Sequence, residues 1–268
     1  MEKNDVVSIL SFLDIKPLKR FSQHFLIDDS IAERIVDYAE LSKNDAVLEI
    51  GPGLGVLTKK MVKKANVTGI EKDKKLCGYL KKIPNLTLIN NDVLKIDFPR
   101  FDKIVSNLPY KISSPVTFKI LEYDFKFGVL MYQKEFAERM TALSGKDYSR
   151  ISVNIYYRAE CKILENVPRN AFYPMPKVDS AVVLLKPRKP PFRVENEKIF
   201  FKTVDALFSQ RRKKMRNSLL NNWKKFVDEK REMEKIVENI KNKNKRPEEL
   251  SPEEIGKISD VIAKHITP

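Results

Sequence analysis

Cysteine is nearly absent: Cys77 and Cys161 are the only two in 268 residues, and no Cys-x-x-Cys pair occurs. The two histidines, His24 and His265, stand near opposite ends of the chain. A disulfide framework and a structural zinc site are thereby excluded, so no metal is expected and a reducing, cytoplasmic compartment is. No apolar run approaches the roughly 18 residues of a membrane span. The start, Met1-Glu2-Lys3-Asn4-Asp5, has neither the basic opening nor the apolar core of a signal peptide, and no membrane association is expected. Internal repeats and low-complexity tracts are missing too. Glycine is scarce, and three of the eight crowd into positions 51, 53 and 55.

Acidic residues are outnumbered 51 to 36, which leaves a net charge of +15. Such an excess favours a polyanionic partner, nucleic acid before membrane surface. A lysine-rich solvated surface would give the same count. Residues 188–268 hold 21 basic and 13 acidic residues, so +8 of the charge lies in the last 81 positions. The chain is long enough for one sizeable core and a smaller appended domain.

The glycines organise the reading. Ala46-Val47-Leu48-Glu49-Ile50 reads as a buried strand, Gly51-Pro52-Gly53-Leu54-Gly55 as a turn, and the residues from Leu54 as the start of a helix. Glycine in such an elbow lets the backbone approach a nucleotide-like ligand closely. Val56 stands where a dinucleotide fingerprint needs its last glycine. Glu49, just before the loop, would repel a pyrophosphate and suits a cationic, amino-bearing ligand. Gly51, Gly53 and Glu49 therefore point to S-adenosyl-L-methionine rather than NAD. Glu71, ending the next strand (Val67–Glu71), is placed to accept from both ribose hydroxyls, against the alternative of a surface carboxylate. Asp92, after a third strand at Leu86–Asn90, is placed to accept from the adenine amino group.

Further strands are expected at Phe101–Ser106, Phe127–Tyr132, Ile151–Ala159 and Ser180–Leu185, with helices between most of them. This alternation specifies an α/β fold, an open and mostly parallel sheet with its ligand at the strand carboxyl ends. Pro187-Arg188-Lys189-Pro190-Pro191 breaks the pattern. The expected domains are 1–187, binding the cofactor, and 188–268, where only helical periodicity follows, at 196–209, 211–225, 228–242 and 251–265. Ser251, Pro252 and Glu254 form a start signal for the last helix. Arg211-Arg212-Lys213-Lys214-Met215-Arg216 is the densest basic run and could track phosphates on a helix, or simply be a solvated face.

Asn107-Leu108-Pro109-Tyr110 follows the fourth strand and carries the chemistry. An exocyclic adenine amine is a poor nucleophile, because its lone pair delocalises into the ring. The Asn107 side-chain oxygen and the Leu108 carbonyl, aimed at its two hydrogens, would hold the nitrogen facing an incoming methyl group. Pro109 fixes the backbone so that both acceptors converge. Tyr110 offers a ring face to an unstacked base. An ordinary turn could use the same residues. Position at a strand end beside the expected sulfonium decides against it.

These stretches, with Gln23-His24-Phe25-Leu26, Phe172-Tyr173-Pro174-Met175-Pro176-Lys177-Val178-Asp179-Ser180-Ala181-Val182 and Gln210–Leu219, resemble the small-subunit ribosomal RNA adenine N6,N6-dimethyltransferases in the family's order through nearly the whole chain. The resemblance implies a seven-stranded class I, Rossmann-like methyltransferase fold with a small C-terminal helical domain that binds RNA. It implies that His24, Leu26, Gly51, Glu71, Asp92 and Asn107 line the cofactor site, with His24 standing where asparagine is usual. Phe172 falls on the family's second aromatic, which would sandwich the adenine against Tyr110. The implied activity is dimethylation of two adjacent adenines near the 3′ end of small-subunit rRNA, by a monomer acting on the immature small ribosomal subunit. Resemblance to the erythromycin-resistance enzymes, which modify large-subunit rRNA, and to non-catalytic mitochondrial transcription factors gives the two other readings.

Overall fold

The computed structural model describes residues 3–15 and 24–266. Lys19 to Gln23 of the basic, aromatic segment lie outside the described residues. The chain forms two compact units, residues 1–137 with 160–187, and residues 138–159 with 188–268. The crossing after Pro187 is where composition places it; the second unit also takes 138–159.

In the first unit, helix α1 (Lys3–Phe12) precedes the short strand β1 (Phe25–Leu26) and helix α2 (Asp29–Tyr38). The Asp28 carboxylate caps α2 by accepting from the N–H groups of Ser30 and Ile31. Then follow β2 (Ala46–Ile50), α3 (Thr58–Met61), β3 (Asn66–Glu71), α4 (Lys74–Leu80), β4 (Leu86–Asn90), β5 (Lys103–Asn107), α5 (Ser113–Ile120) and β6 (Phe127–Gln133), and the unit boundary after Ala137 falls inside helix α6 (Lys134–Thr141). The helix expected from Leu54 is the short α3, four residues that begin at Thr58.

A correction falls at 151–159. The expected strand is helix α7 (Arg150–Arg158), and the strand is β7 (Ala159–Val167) immediately after it. Ile151, Val153, Ile155 and Tyr157 alternate as a strand would, yet Ser152 and Asn154 between them are buried too. The helix is buried on most sides, so an apolar residue at every second position does not mark a two-faced strand here. Its start is written locally, because the Ser152 hydroxyl oxygen accepts from the Ser149 N–H at 2.9 Å. Strands β8 (Phe172–Tyr173) and β9 (Ser180–Pro187) complete the unit.

The seven-stranded sheet has the order β4-β3-β2-β5-β6-β9-β7. Strands β2 to β6 run parallel, and β9 pairs antiparallel with β6. Chain connections turn one way from β2 to β3 and the other way from β5 to β6, so the cleft between the carboxyl ends of β2 and β5 is the topological switch point. Apart from this sheet, β1 pairs antiparallel with β8, with Phe25 opposite Tyr173 and Leu26 opposite Phe172.

The second unit is helical: α7, α8 (Glu197–Phe208), α9 (Met215–Asn221), α10 (Lys230–Glu238) and α11 (Pro252–Ile266). Val153 and Tyr157 of α7 share one apolar core with Phe200, Leu207, Met233 and Ile262, which is why 138–159 belongs here. The expected start of α11 is present as a reciprocal cap, Glu254 N–H to Ser251 Oγ and Ser251 N–H to Glu254 Oε2. Among the described residues no helix is long and apolar enough to cross a membrane.

The sheet edge opposite the switch point is pinned by charge. Asp45, buried before β2, takes Lys103 and Lys126 at 3.0 Å each, and Lys103 Nζ also donates to the Glu40 carbonyl at 2.6 Å. Burial opposes ionisation of Asp45, but hydrogen bonds from the Ser42 N–H and both lysines hold its carboxyl well below the usual range. Lys103→Met removes the ammonium that pairs with the buried Asp45 carboxylate and lies 4.9 Å from the centre of the Phe127 ring. It is expected to destabilise the protein by about 3 kcal/mol, measured by urea unfolding.

Candidate active site

Three backbone segments meet at the switch point. Gly51, Gly53 and Gly55 have φ of 68°, 60° and 74°. Residues with a Cβ rarely adopt that region, so alternate glycines are what this loop geometry requires. Gly51 N–H still donates to the Ile70 carbonyl at 2.8 Å, carrying the β2–β3 ladder into the loop. A Cβ at position 51 would lie 3.5 Å from the Pro109 ring, so the glycine loop and the Asn107–Tyr110 turn are direct neighbours.

Two buried carboxylates lie under the loop. Glu71 Oε2 accepts from Gly53 N–H at 3.1 Å and Oε1 from Asp73 N–H at 2.9 Å. Each oxygen keeps a second lone-pair site for a hydroxyl donor. Glu49 accepts from Thr58 Oγ1 at 2.6 Å, which ties β2 to α3. Burial raises both acids; for Glu49 it outweighs the Thr58 hydrogen bond and takes the carboxyl up to about 8. Asp92 stays on the ionised side, through Lys72 at 2.9 Å and the Leu94 N–H at 3.1 Å.

On the other wall, Leu108 N–H donates to Met131 O at 3.2 Å and clamps the turn to β6. Pro109, at φ −60° and ψ 121°, leads into a 3₁₀ turn at Tyr110–Ile112. Asn107 Nδ2 donates to the backbone carbonyl of His24 at 3.3 Å. A carbonyl can only accept, so the amide orientation is set and Asn107 Oδ1 faces elsewhere as an acceptor. The Tyr110 hydroxyl shares a 2.6 Å hydrogen bond with Ser180 Oγ. Its ring stacks on that of His24, centroids 5.6 Å apart and planes 25° from parallel. His24 Nδ1 in turn donates to the Pro174 carbonyl at 2.7 Å.

These segments enclose a cavity of about 710 Å³. His24, Leu26, Glu49, Gly51, Gly53, Glu71, Asp92, Asn107, Leu108, Pro109 and Tyr110 all line it. Phe172 does not. It is 2% exposed, sits opposite Leu26 in the β1–β8 pair and belongs to the core of the unit. Sequence reasoning missed Thr58, Asp73 and Ser180, which orient Glu49, Glu71 and Tyr110. Ser180 lies inside a stretch that carries the family resemblance, and no local pattern marks the other two. Four carboxylates (Glu49, Glu71, Asp73 and Asp92) line the wall beside Lys72, Lys74, Lys75 and Lys111, and the two most buried of these groups, Glu49 and Glu71, offer acceptors to a ligand that carries hydroxyls and an amino group.

The basic run lies in the second unit, and its structure differs from the helix expected over 211–225. Residues 211–214 form the turn between α8 and α9, and only Arg216 is on a helix. Pro is absent there; Lys214 stands at the extended N-cap position, with φ −60° and ψ 144°. Arg211, Arg212 and Lys213 line a second cavity of about 1080 Å³ together with Lys146 and Arg246. Arg211 is held inward by Glu248 at 2.8 Å and the Gly145 carbonyl at 2.8 Å. Lys214 and Arg216 do not line it; Arg216 pairs with Glu238 at 3.4 Å.

A family model described as ribosomal RNA adenine dimethylase matches residues 16–264. The chain is 49% identical over 265 residues to the probable ribosomal RNA small subunit methyltransferase A of Methanosarcina acetivorans, covering 96% of this chain and 97% of that one. It is 42% identical to the protein of the same name in Thermococcus sibiricus, with 96% of each covered. Among solved structures it is similar to a dimethyladenosine transferase from Plasmodium falciparum, at TM-score 0.72 and 32% identity over 88% of this chain and 96% of that one. Similarity to the 23S rRNA methyltransferase ErmE is lower, at TM-score 0.63 and 28% identity over 89% and 99%.

Glu49 makes stability depend on pH. The folded protein keeps its proton up to about pH 8, whereas the unfolded chain releases it near the ordinary 4.5, so stability falls as pH rises through that window. Glu49→Gln removes this contribution. Denaturant unfolding of variant and parent should agree near pH 4 and separate steadily to pH 8, with the variant the more stable.

Proposed function

The chain belongs to the ribosomal RNA adenine dimethylase family, and on that premise we propose that it dimethylates N6 of two adjacent adenosines near the 3′ end of small-subunit rRNA. The methyl donor is S-adenosyl-L-methionine, which supplies a methyl group on a positively charged sulfur. The observation that carries the reading is a single cavity at the switch point lined by the glycine loop, Glu71, Asp92 and the Asn107–Tyr110 turn. In this reading the protein acts as a cytoplasmic monomer on the immature small subunit.

Each residue has a role in this reading. Glu71 holds the ribose hydroxyls on its two remaining lone-pair sites. Asp92 accepts from the adenine amine of the donor, and Glu49 places an acid beneath its cationic end. Leu26, Gly51 and Gly53 shape the wall where backbone and ligand come close. Asn107 Oδ1 and the Leu108 carbonyl accept from the target amine and leave its lone pair directed at the methyl carbon. As that nitrogen becomes positive, both acceptors bind it more tightly, so they lower the barrier more than they stabilise the bound base. The Tyr110 ring carries the base on its face. Phe172, buried in the core, has no free face in this conformation, so stacking rests on Tyr110.

The helical unit holds the RNA. Its support is the cation-lined cavity of Lys146, Arg211, Arg212, Lys213 and Arg246, with Lys214 and Arg216 outside it. Phosphates released from their counterions by these side chains would make affinity fall with salt.

Asn107→Ala is expected to lower single-turnover methylation of small-subunit RNA on the order of a hundredfold, while RNA affinity holds. Mass spectrometry of the RNA reads the product, and a near-normal rate would sink the mechanism. For the helical unit, Arg212, Lys213 and Lys214 are the cations of the run to change to Gln together. The slope of log affinity against log salt should become shallower by about two to three, with cofactor affinity unmoved. An unchanged slope would reduce the run to a solvated surface.

A further inference from the structure

Between β4 and β5 the chain forms neither helix nor strand, yet this loop supplies one end of the cavity. Asp92, Val93 and Leu94 line it there. Backbone groups in a sheet pair with each other, whereas those of a loop need partners from elsewhere. Two bonds are local: Leu94 N–H donates to Asp92 Oδ1 at 3.1 Å, and Lys95 N–H to the Asp92 carbonyl at 2.8 Å. The others reach across to α5 and the turn after it. Lys119 Nζ donates to the Val93 carbonyl at 3.0 Å and also to the Ile96 carbonyl, and it stands 4.8 Å from the centre of the Phe98 ring. Phe98 N–H donates to the Tyr123 hydroxyl at 3.0 Å, and the two rings stack with centroids 4.7 Å apart. Helix α5 is itself fixed, because Val116, Thr117 and Ile120 are buried and Thr117 Oγ1 shares a 2.8 Å hydrogen bond with the Tyr132 hydroxyl of β6. It begins directly after the Tyr110–Ile112 turn. Lys119 does not line the cavity.

We propose that Lys119 is a positioning residue for the cofactor, which fixes the loop that receives the adenine from the helix behind the Asn107–Tyr110 turn. The inference rests on the reading of Asp92 given above and extends the site to a side chain that touches no ligand. An ammonium carries three donors on one nitrogen, so a single side chain takes both carbonyls and sets the curve of the backbone between them. Without it those carbonyls turn to water and the loop samples other conformations. Apparent affinity then falls by the fraction of molecules whose loop has the receiving form. The effect stays at the adenine end. Glu71 keeps its own bonds from Gly53 N–H and Asp73 N–H, and Leu108 N–H stays fastened to Met131 O.

The test separates cofactor affinity from the rate of transfer. Lys119→Met keeps a long apolar stem and removes the donors. It should weaken S-adenosylmethionine about tenfold by calorimetry. It should weaken 5′-methylthioadenosine, measured by competition, by the same factor, since that compound keeps the adenine and lacks the amino acid and the charge. Single-turnover methylation of small-subunit RNA at saturating cofactor should stay within about threefold of the parent. Lys119→Arg restores a cation with several donors and should recover most of the affinity. Hydrogen exchange reads the loop directly: amides of residues 93–98 should exchange faster in the methionine variant, and bound cofactor should narrow the difference. Tyr123→Phe removes the other anchor of the same loop; it should weaken both ligands in parallel, and it serves if methionine at 119 impairs folding. A lowered melting temperature with unchanged affinity for both ligands would overturn the proposal and make Lys119 a stabilising contact only. A loss confined to S-adenosylmethionine would also overturn it, by placing the effect at the sulfonium end. Failure of the parent to bind either ligand would instead strike the proposed function, so the two failures are distinguishable.

Discussion

The site depends on one place where two parallel strands part. Strands β2 and β5 pair through Val47–Lys103 and Leu48–Ile104, and beyond that the buried Ser106 hydroxyl donates to the Ile50 carbonyl at 2.5 Å. That bond bridges the strands at the last residue before the glycine loop on one side and the last before Asn107 on the other. Both functional turns therefore start from a common, rigid floor. A displacement of either strand end would move the ribose acceptor and the amine acceptor relative to each other, and positioning errors of about 1 Å are costly to transfer rates.

Electrostatics divides the work between two regions. The chain carries +15 overall, yet the cavity at the switch point holds Glu49 and Glu71 at 2% and 7% exposure. Burial raises both carboxyls, Glu49 up to about 8. A basic exterior attracts RNA over the range of a Debye length, about 8 Å at physiological salt. The two buried carboxyls act only at contact, so a basic exterior is compatible with a cation held against them.

How much of this was legible in the sequence follows from how local each feature is. The glycine loop was, because three residues at positive φ within five positions leave little but glycine as a choice. The start of α11 was, because Ser251 and Glu254 cap each other within one turn. The place of Asn107–Tyr110 in the cavity wall was, since it follows directly from the end of one strand. Helix α7 was not, because its apolar residues at 151, 153, 155 and 157 alternate in a way that suits a strand. The turn at 211–214 was not, since a run of cations says nothing of backbone conformation. Phe172 was placed by resemblance in a sandwich, and its partner in this structure is Leu26, in a two-residue pairing across 146 positions of chain that no window of sequence contains.

At position 24 the backbone has a duty that does not depend on its side chain. His24 supports Asn107 with its backbone carbonyl, and the adjacent β1–β8 pairing fixes that carbonyl in space. The orientation of the amine acceptor is thus independent of which side chain stands at 24. An asparagine or a histidine there leaves Asn107 equally well held. The side chain meanwhile lines the cavity, with its ring beside Tyr110 and its Nδ1 on the Pro174 carbonyl, so backbone and side chain of one residue hold different parts of the same wall.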